Sequence, residues 1–212
     1  MNFKKPLIIA CDGEAASGKS TGAKLISKKY KLLLINSGLL YRYASKLILR
    51  NKPKKIIPYL NREFKKTTYN KIASQNLHSQ EISNYVGYLA RKKKVRDLIN
   101  KIQKKIIKQN NRICVEGRDI ASKILNKNPR YHIAFYFKCN IKVASHRRWL
   151  DLKKKISIKE VTRTLKIRTK LDKNRSNSPL VKVKDAILIQ THKLNKSEML
   201  KKMVKEVKKL SN

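Results

Sequence analysis

The stretch Gly13-Glu14-Ala15-Ala16-Ser17-Gly18-Lys19-Ser20-Thr21 constrains this chain more than any other. It fits G-x-x-x-x-G-K-[ST], a loop whose backbone amides cradle phosphates. Gly13 and Gly18 are expected to supply backbone freedom and close main-chain approach to a ligand. The helix that opens near Gly18 adds the positive end of its dipole. Lys19 can reach the β- and γ-phosphates, and the Ser20 hydroxyl can ligate Mg²⁺. The flanking sequence supplies the context this motif needs. Leu7-Ile8-Ile9-Ala10-Cys11 is an apolar run suited to a buried parallel strand. After the loop, Ala23, Ile26 and Ser27 alternate with Lys24, Lys28 and Lys29 at helical spacing.

Length and composition limit the rest. A chain of 212 residues with 41% hydrophobic content suits a single domain, 1–212, with a real core and insertions. No apolar run approaches the ~20 residues of a membrane span. Met1-Asn2-Phe3-Lys4-Lys5-Pro6 leads directly into the first strand, with no apolar signal segment. A cytoplasmic location, no membrane association and a monomer are therefore expected. Cys11, Cys114 and Cys139 lie in or beside apolar runs and read as small core residues of a reducing compartment. The four histidines show no zinc spacing.

The net charge of +41 bears on partners. Such a charge attracts polyanions. Of the 54 basic residues, 41 are Lys and 13 Arg, with the Lys spread along the whole chain on polar helix faces. That pattern reads as a compositional drift toward Lys, Asn and Ile, without a specific nucleic-acid partner.

Four further apolar runs read as strands. They are Leu32–Ile35, ending at Asn36-Ser37-Gly38; Ile113–Val115, ending at Glu116-Gly117-Arg118-Asp119; His132–Phe137; and Ala186–Ile189. Helical stripes separate them. Val95, Leu98, Ile99, Ile102 and Ile106 form one, and Met199, Met203, Val204, Val207 and Leu210 another. Ser157-Ile158-Lys159-Glu160 reads as a capping box. The alternation predicts an α/β fold with a five-stranded parallel sheet flanked by helices. Ligands of such sheets lie beyond the carboxyl ends of the strands. Residues 12–21, 36–42 and 116–119 all follow strand ends. Residues 51–78, with Pro53 and Pro58, read as a surface insertion of weak periodicity, and 149–156 as a mobile lid.

Two clusters carry chemistry besides the loop. Glu116 follows a buried strand, where a carboxylate can organise Mg²⁺ and its waters. Arg118 and Asp119 are chain neighbours, so a simple local ion pair is one reading of them. Arg168, Asp172 and Arg175 fall at i, i+4 and i+7, one face of a helix. Two guanidinium groups beside a carboxylate can clamp phosphate and ribose.

Taken in order, these blocks resemble bacterial cytidylate kinase, the CMP/dCMP kinase family. Ile9 through Thr21 matches the family's first strand and P-loop. Asn36-Ser37-Gly38-Leu39-Leu40-Tyr41-Arg42 resembles its (D)-[ST]-G-x-x-Y-R block, with Asn36 where Asp is usual. Ser79 to Asn84 and Val95-Arg96 resemble the helix pair after the insertion. Gly117-Arg118-Asp119-Ile120 resembles its G-R-D block, and Arg147-Arg148 with Arg168 to Leu180 its last third.

The resemblance implies a P-loop nucleoside monophosphate kinase with a short NMP-binding insertion at about 40–95 and a lid at about 148–160. It implies ATP with Mg²⁺ as donor and CMP or dCMP as acceptor. Gly13, Glu14, Ala15, Ala16, Ser17, Gly18, Lys19, Ser20 and Thr21 would bind ATP, with Ser20 on the metal. Ser37, Arg42, Arg96, Arg118 and Arg175 would hold the CMP phosphate and neighbouring groups. Asp119 would meet the cytosine, and Arg168 and Asp172 the ribose. Lys19, Arg118, Arg148 and Arg168 would carry catalysis. Arg147 and Arg148 would border the lid. Gly87 aligns near a small hydroxyl residue that contacts the base. The alternatives are another P-loop kinase (UMP/CMP or nucleic-acid end kinase) and a basic nucleic-acid-binding protein with a vestigial P-loop. No N-K-x-D motif occurs, which argues against a GTPase.

Overall fold

A computed structural model describes residues 5–211. Residues 1–4 of the expected N-terminal lead-in lie outside it. The chain divides into two compact units: one ends at Leu34 and resumes at Asn111, the other spans Ile35–Asn110.

The first unit holds a five-stranded parallel sheet, in the order β2-β3-β1-β4-β5, except for the last two residues of β2. These are β1 (Leu7–Gly13), β2 (Leu33–Asn36), β3 (Arg112–Gly117), β4 (Ile133–Lys138) and β5 (Ile187–Gln190). All five coincide with the apolar runs. β1 is buried along its whole length, because β3 and β4 flank it in parallel and helices cover the sheet. The helices of this unit are α1 (Lys19–Tyr30), α7 (Ile141–Asp151), α8 (Ile158–Asn174) and α9 (Lys196–Lys208). Ile9, Phe135 and Phe137 of the sheet pack with Ala23 and Ile26 of α1 and Met199, Met203 and Val207 of α9. Each large apolar side chain so buried contributes about 1.5–3 kcal/mol. Val204 packs at the margin of this core, whereas Leu210 is 48% exposed, beyond the end of the α9 stripe. A smaller cluster of Ala144, Val161 and Leu165 joins α7 to α8 and reaches Ala15 and Cys139.

Capping explains where the helices begin. The Ser157 hydroxyl accepts from the Glu160 amide and opens α8. The reciprocal box is formed at α9 instead, where Asn195 and Glu198 each bond the other's backbone. All three cysteines are buried and free, as core residues. α7 runs through Arg147 and Arg148 to Asp151, so the segment expected to form a lid begins inside a helix. The turn after it is tied by Trp149 Nε1 donating to Ile156 O at 2.9 Å.

The second unit is helical: α2 (Ser37–Asn51), α3 (Ile56–Lys65), α4 (Tyr69–Ala73), α5 (Gln80–Leu89) and α6 (Lys93–Lys108). Residues 51–78 differ from the sequence reading. The insertion forms α3 and α4 with a buried side: Leu60 and Leu77 are fully buried and Phe64 and Ile72 nearly so. Pro58 is the third residue of α3, in the first turn, where its missing N–H costs no intrahelical bond. Those four side chains fill a core with Leu40, Tyr43, Ala44 and Ile48 of α2 and Val95, Leu98 and Ile99 of α6. The Tyr43 and Phe64 rings meet edge-on at 5.3 Å. The periodicity is weak because two short helices, separated by Lys66-Thr67-Thr68, bury only a few positions each.

Candidate active site

The loop after β1 forms by a strand-to-helix turn. Gly18 caps α1 with φ 76°, in the left-handed region that favours glycine. Gly13 is needed for another reason. A Cβ there would lie 2.4 Å from Phe137 O on β4, so it is close strand packing that excludes a side chain. Ala16 has φ 53°, so the loop holds one non-glycine residue in the same left-handed region. Ala15 and Ser17 are buried, and the Ser17 hydroxyl has no partner among the described residues. Ser20 is exposed at the second position of α1, with Thr21 beside it.

Lys19 is 8% exposed and lies 3.2 Å from Glu116 Oε2. Burial lowers the Lys19 pKa, and Glu116 opposes that shift. Glu116 itself is 2% exposed. The loop lysine and the acid at the end of β3 thus form one buried pair beyond adjacent strands. The oxygen donors here are of the kind a magnesium ion takes: the exposed Ser20 hydroxyl and the Glu116 carboxylate beside Lys19. Among the described residues no group of three or more His, Cys, Asp or Glu could cage a metal ion. An ion that takes most of its ligands from phosphates and water fits such a set.

Asp12, the last residue before Gly13, is 3% exposed. Its two carboxylate oxygens accept from the amides of Ile120 and Ala121 at 2.9 and 2.8 Å. Burial raises its pKa to about 6, partly opposed by those two amides. These bonds fix the wide turn 120–124 that follows Arg118 and Asp119. Asp12 therefore sets where the Gly117-Arg118-Asp119 segment leaves the sheet.

Arg118 and Asp119 are partnered with α8 and its end, not with each other. Arg118 Nε donates to Asp172 Oδ2 at 2.8 Å. Asp119 Oδ1 lies 3.6 Å from Arg175 Nη2, and Arg175 Nη1 lies 3.6 Å from Asp172 Oδ1. Four charges of alternating sign form one cluster, each side chain under a fifth exposed. The helical-face reading of Arg168, Asp172 and Arg175 needs correction. α8 stops at Asn174, and Arg175 is its extended C-cap at ψ 136°. The following turn bends back, with Leu180 N bonded to Asp172 O and Arg175 Nε to Ser178 O. That return is what points Arg175 at Asp119. Arg168 is exposed on α8, and Arg148 is exposed on α7.

The other expected acceptor residues lie in the helical unit. Ser37, first in α2, accepts from Gln103 Nε2 at 2.7 Å. Arg42 donates to Leu77 O at 3.0 Å and Ser83 Oγ at 2.9 Å. Arg96 is 3% exposed, bonds Ala90 O at 3.3 Å and lies over the Tyr41 ring at 5.9 Å. Gly87, on α5, faces open space.

A cytidylate kinase profile matches residues 9–209. The chain belongs to the cytidylate kinase family. It is 33% identical to the cytidylate kinase of Clostridium botulinum (strain Okra / Type B1), with 95% of this chain and 97% of that protein covered. The cytidylate kinase of Thermosipho melanesiensis is 32% identical over 96% of this chain and 97% of its own length. A solved structure of an uncharacterised protein from Eubacterium ventriosum shares the fold, at TM-score 0.55 and 17% identity over 95% of this chain and 98% of that one. Membership of the cytidylate kinase family makes the chain a phosphotransferase of the kinase class.

Three contributors carry little sequence signal. Asp12 was legible only as a carboxylate ending an otherwise apolar strand. Thr191 follows the last strand; its hydroxyl donates to Ser17 O at 2.9 Å, and a Cβ at Gly18 would crowd its Cγ2 at 3.3 Å. Arg147 Nη2 donates to Thr191 O at 3.1 Å, tying α7 to the loop through that residue. Gln103, buried on α6 beside Ile102, carries no sequence signal of its own.

Proposed function

We propose that the protein transfers the γ-phosphoryl group of ATP to CMP or dCMP, giving CDP or dCDP. The observation that carries this reading is the four-charge cluster of Arg118, Asp119, Asp172 and Arg175, in the unit that holds the P-loop. A P-loop alone accommodates many reactions; this cluster supplies paired guanidinium and carboxylate groups suited to a nucleoside monophosphate.

Residues 13–21 would bind the ATP phosphates, with Mg²⁺ entering on them and meeting Ser20. Bound there, Mg²⁺ would supply charge neutralisation for the phosphates. Phosphoryl transfer passes through a loose transition state, so the protein chiefly positions the two nucleotides and offsets charge. An acceptor phosphate is ionised near neutral pH, and its oxygen attacks the γ-phosphorus without a strong general base. Lys19, Arg118, Arg148 and Arg168 would stabilise the equatorial oxygens. Ser37, Arg42 and Arg96 would take the CMP phosphate, and Arg168 and Asp172 the ribose. Asp119 would read the cytosine amine, directly or through Arg175. Lid closure near 148–160 would exclude water. The protein would act as a cytoplasmic monomer in pyrimidine nucleotide metabolism.

A coupled ADP-release assay across CMP, dCMP, UMP, AMP and GMP tests the reading. CMP and dCMP should be the best acceptors, with UMP poorer by roughly ten- to hundredfold in kcat/KM, since a mismatched base strands a polar group at a cost of ~1–3 kcal/mol. Equal use of UMP would sink the role of Asp119. AMP as best acceptor would sink the acceptor assignment as a whole.

A further inference from the structure

Glu14 is a carboxylate inside a loop whose chemistry is to hold anions. It is the residue directly after Gly13, and its amide donates to Phe137 O at 3.2 Å, which pins it against the end of β4. Its side chain is only 14% exposed, so water does little to screen it. Lys19 does not answer its charge, because that ammonium is engaged by Glu116 at 3.2 Å. The cation that does is Lys173, whose Nζ lies 2.7 Å from Glu14 Oε1. Lys173 sits in the last turn of α8, between Asp172 and the Arg175 cap. The Tyr136 hydroxyl feels the same carboxylate: burial first, and then Glu14, push its pKa up to about 12.

A phosphate chain in this loop would meet Glu14 as a like charge. Neutralised, Glu14 is harmless and serves as an anchor; unneutralised, it opposes every nucleotide that enters. We propose that Lys173 is a positioning residue for the donor nucleotide: it masks Glu14 so that the loop accepts phosphates, and by the same bond holds the end of α8 on the loop. Asp172 and Arg175 flank Lys173 at the end of α8, so the contact links the donor loop to the four-charge cluster. The inference rests on the reading that this loop binds ATP.

The test is a double-mutant cycle on binding of a non-hydrolysable ATP analogue with Mg²⁺, followed by titration calorimetry, with thermal melts on every variant. Lys173→Met should weaken binding about five- to twentyfold at low salt, an effect that shrinks at high salt as screening grows. Glu14→Gln should bind tighter than wild type. Glu14→Gln combined with Lys173→Met should recover most of the loss, because no charge is left to mask. In turnover, the Lys173→Met defect should fall on KM for ATP more than on kcat. A double variant as weak as Lys173→Met would overturn the proposal and make Lys173 a direct phosphate ligand or a purely structural residue. Weaker binding by Glu14→Gln alone would overturn it in favour of a metal-directed carboxylate. Wild-type binding with no Lys173→Met effect sinks this inference alone. No binding by wild type sinks the ATP reading and this inference with it.

Discussion

Arg118 Nε donates to Asp172 Oδ2 at 2.8 Å, joining residues 54 positions apart, while its chain neighbour Asp119 lies 3.6 Å from Arg175. The crossed pairing fastens the segment after β3 to α8 and the turn beyond it. Asp172 accepts from one arginine and faces a second, so its loss would leave two guanidinium groups opposed with no carboxylate between them.

Lys19→Ala should abolish transfer and also cost stability. Removing one charge from a water-excluded transition state typically costs ~3 kcal/mol or more, a loss above a hundredfold in rate. The same change strands the Glu116 carboxylate, 2% exposed, without its cation. Breaking a buried pair from one side costs roughly 3–5 kcal/mol. Lys19→Met with Glu116→Gln should restore the melting temperature but not the rate. Turnover by Lys19→Ala at a rate near wild type would remove the lysine from the reaction.

Asp12 should make stability depend on pH with an unusual sign. Its folded pKa of about 6 lies above the ordinary 3.8, so the folded state binds the extra proton between those values. Its protonation therefore favours folding at low pH, and that contribution is lost as pH rises through about 6. The shift of roughly two units corresponds to about 3 kcal/mol. Asp12→Asn lacks the linkage. Denaturant unfolding of both proteins from pH 4 to pH 7 should show the gap between them move by that amount in favour of the variant. A constant gap would mean that Asp12 titrates normally.

Alanine at three glycines should have different effects. Gly13→Ala places a Cβ 2.4 Å from backbone Phe137 O, and Gly22→Ala places one 2.4 Å from the Phe137 ring. Each should destabilise by about 1–3 kcal/mol through forced core shifts. Gly87 lies within α5, and a Cβ added there would meet nothing within 4 Å. Gly87→Ala should stabilise by about 0.5–1 kcal/mol, the helix preference for alanine. Thermal unfolding reads all three; a destabilising Gly87→Ala would show that the α5 surface there is not open.

The charge of +41 should give weak binding to any DNA at low salt, lost near physiological salt. Dispersed lysines supply only counterion release, whose logarithm falls with that of salt. Fluorescence anisotropy with unrelated oligonucleotides at 50 and 200 mM salt checks this. Tight, sequence-dependent binding at the higher salt would make the basic surface a specific interface.

The sequence by itself determined the strands, the loop and most helices. Each of these is a local matter: an unbroken apolar run such as Leu7–Cys11, a glycine at the Gly18 turn, a stripe at helical spacing in α9. The order of residues along the chain was enough to locate them. What the tertiary structure alone decided were the partners. Arg118 could have paired with Asp119 and instead reaches Asp172; Arg175 looked helical and instead caps α8; Glu14 is matched by Lys173, 159 residues away. Residues 51–78 looked superficial, yet Leu60 and Leu77 are fully buried against α2 and α6. Such choices depend on distance, burial and the direction of a side chain at the end of a strand or helix. Those quantities arise from packing among elements far apart in sequence, and no local pattern encodes them.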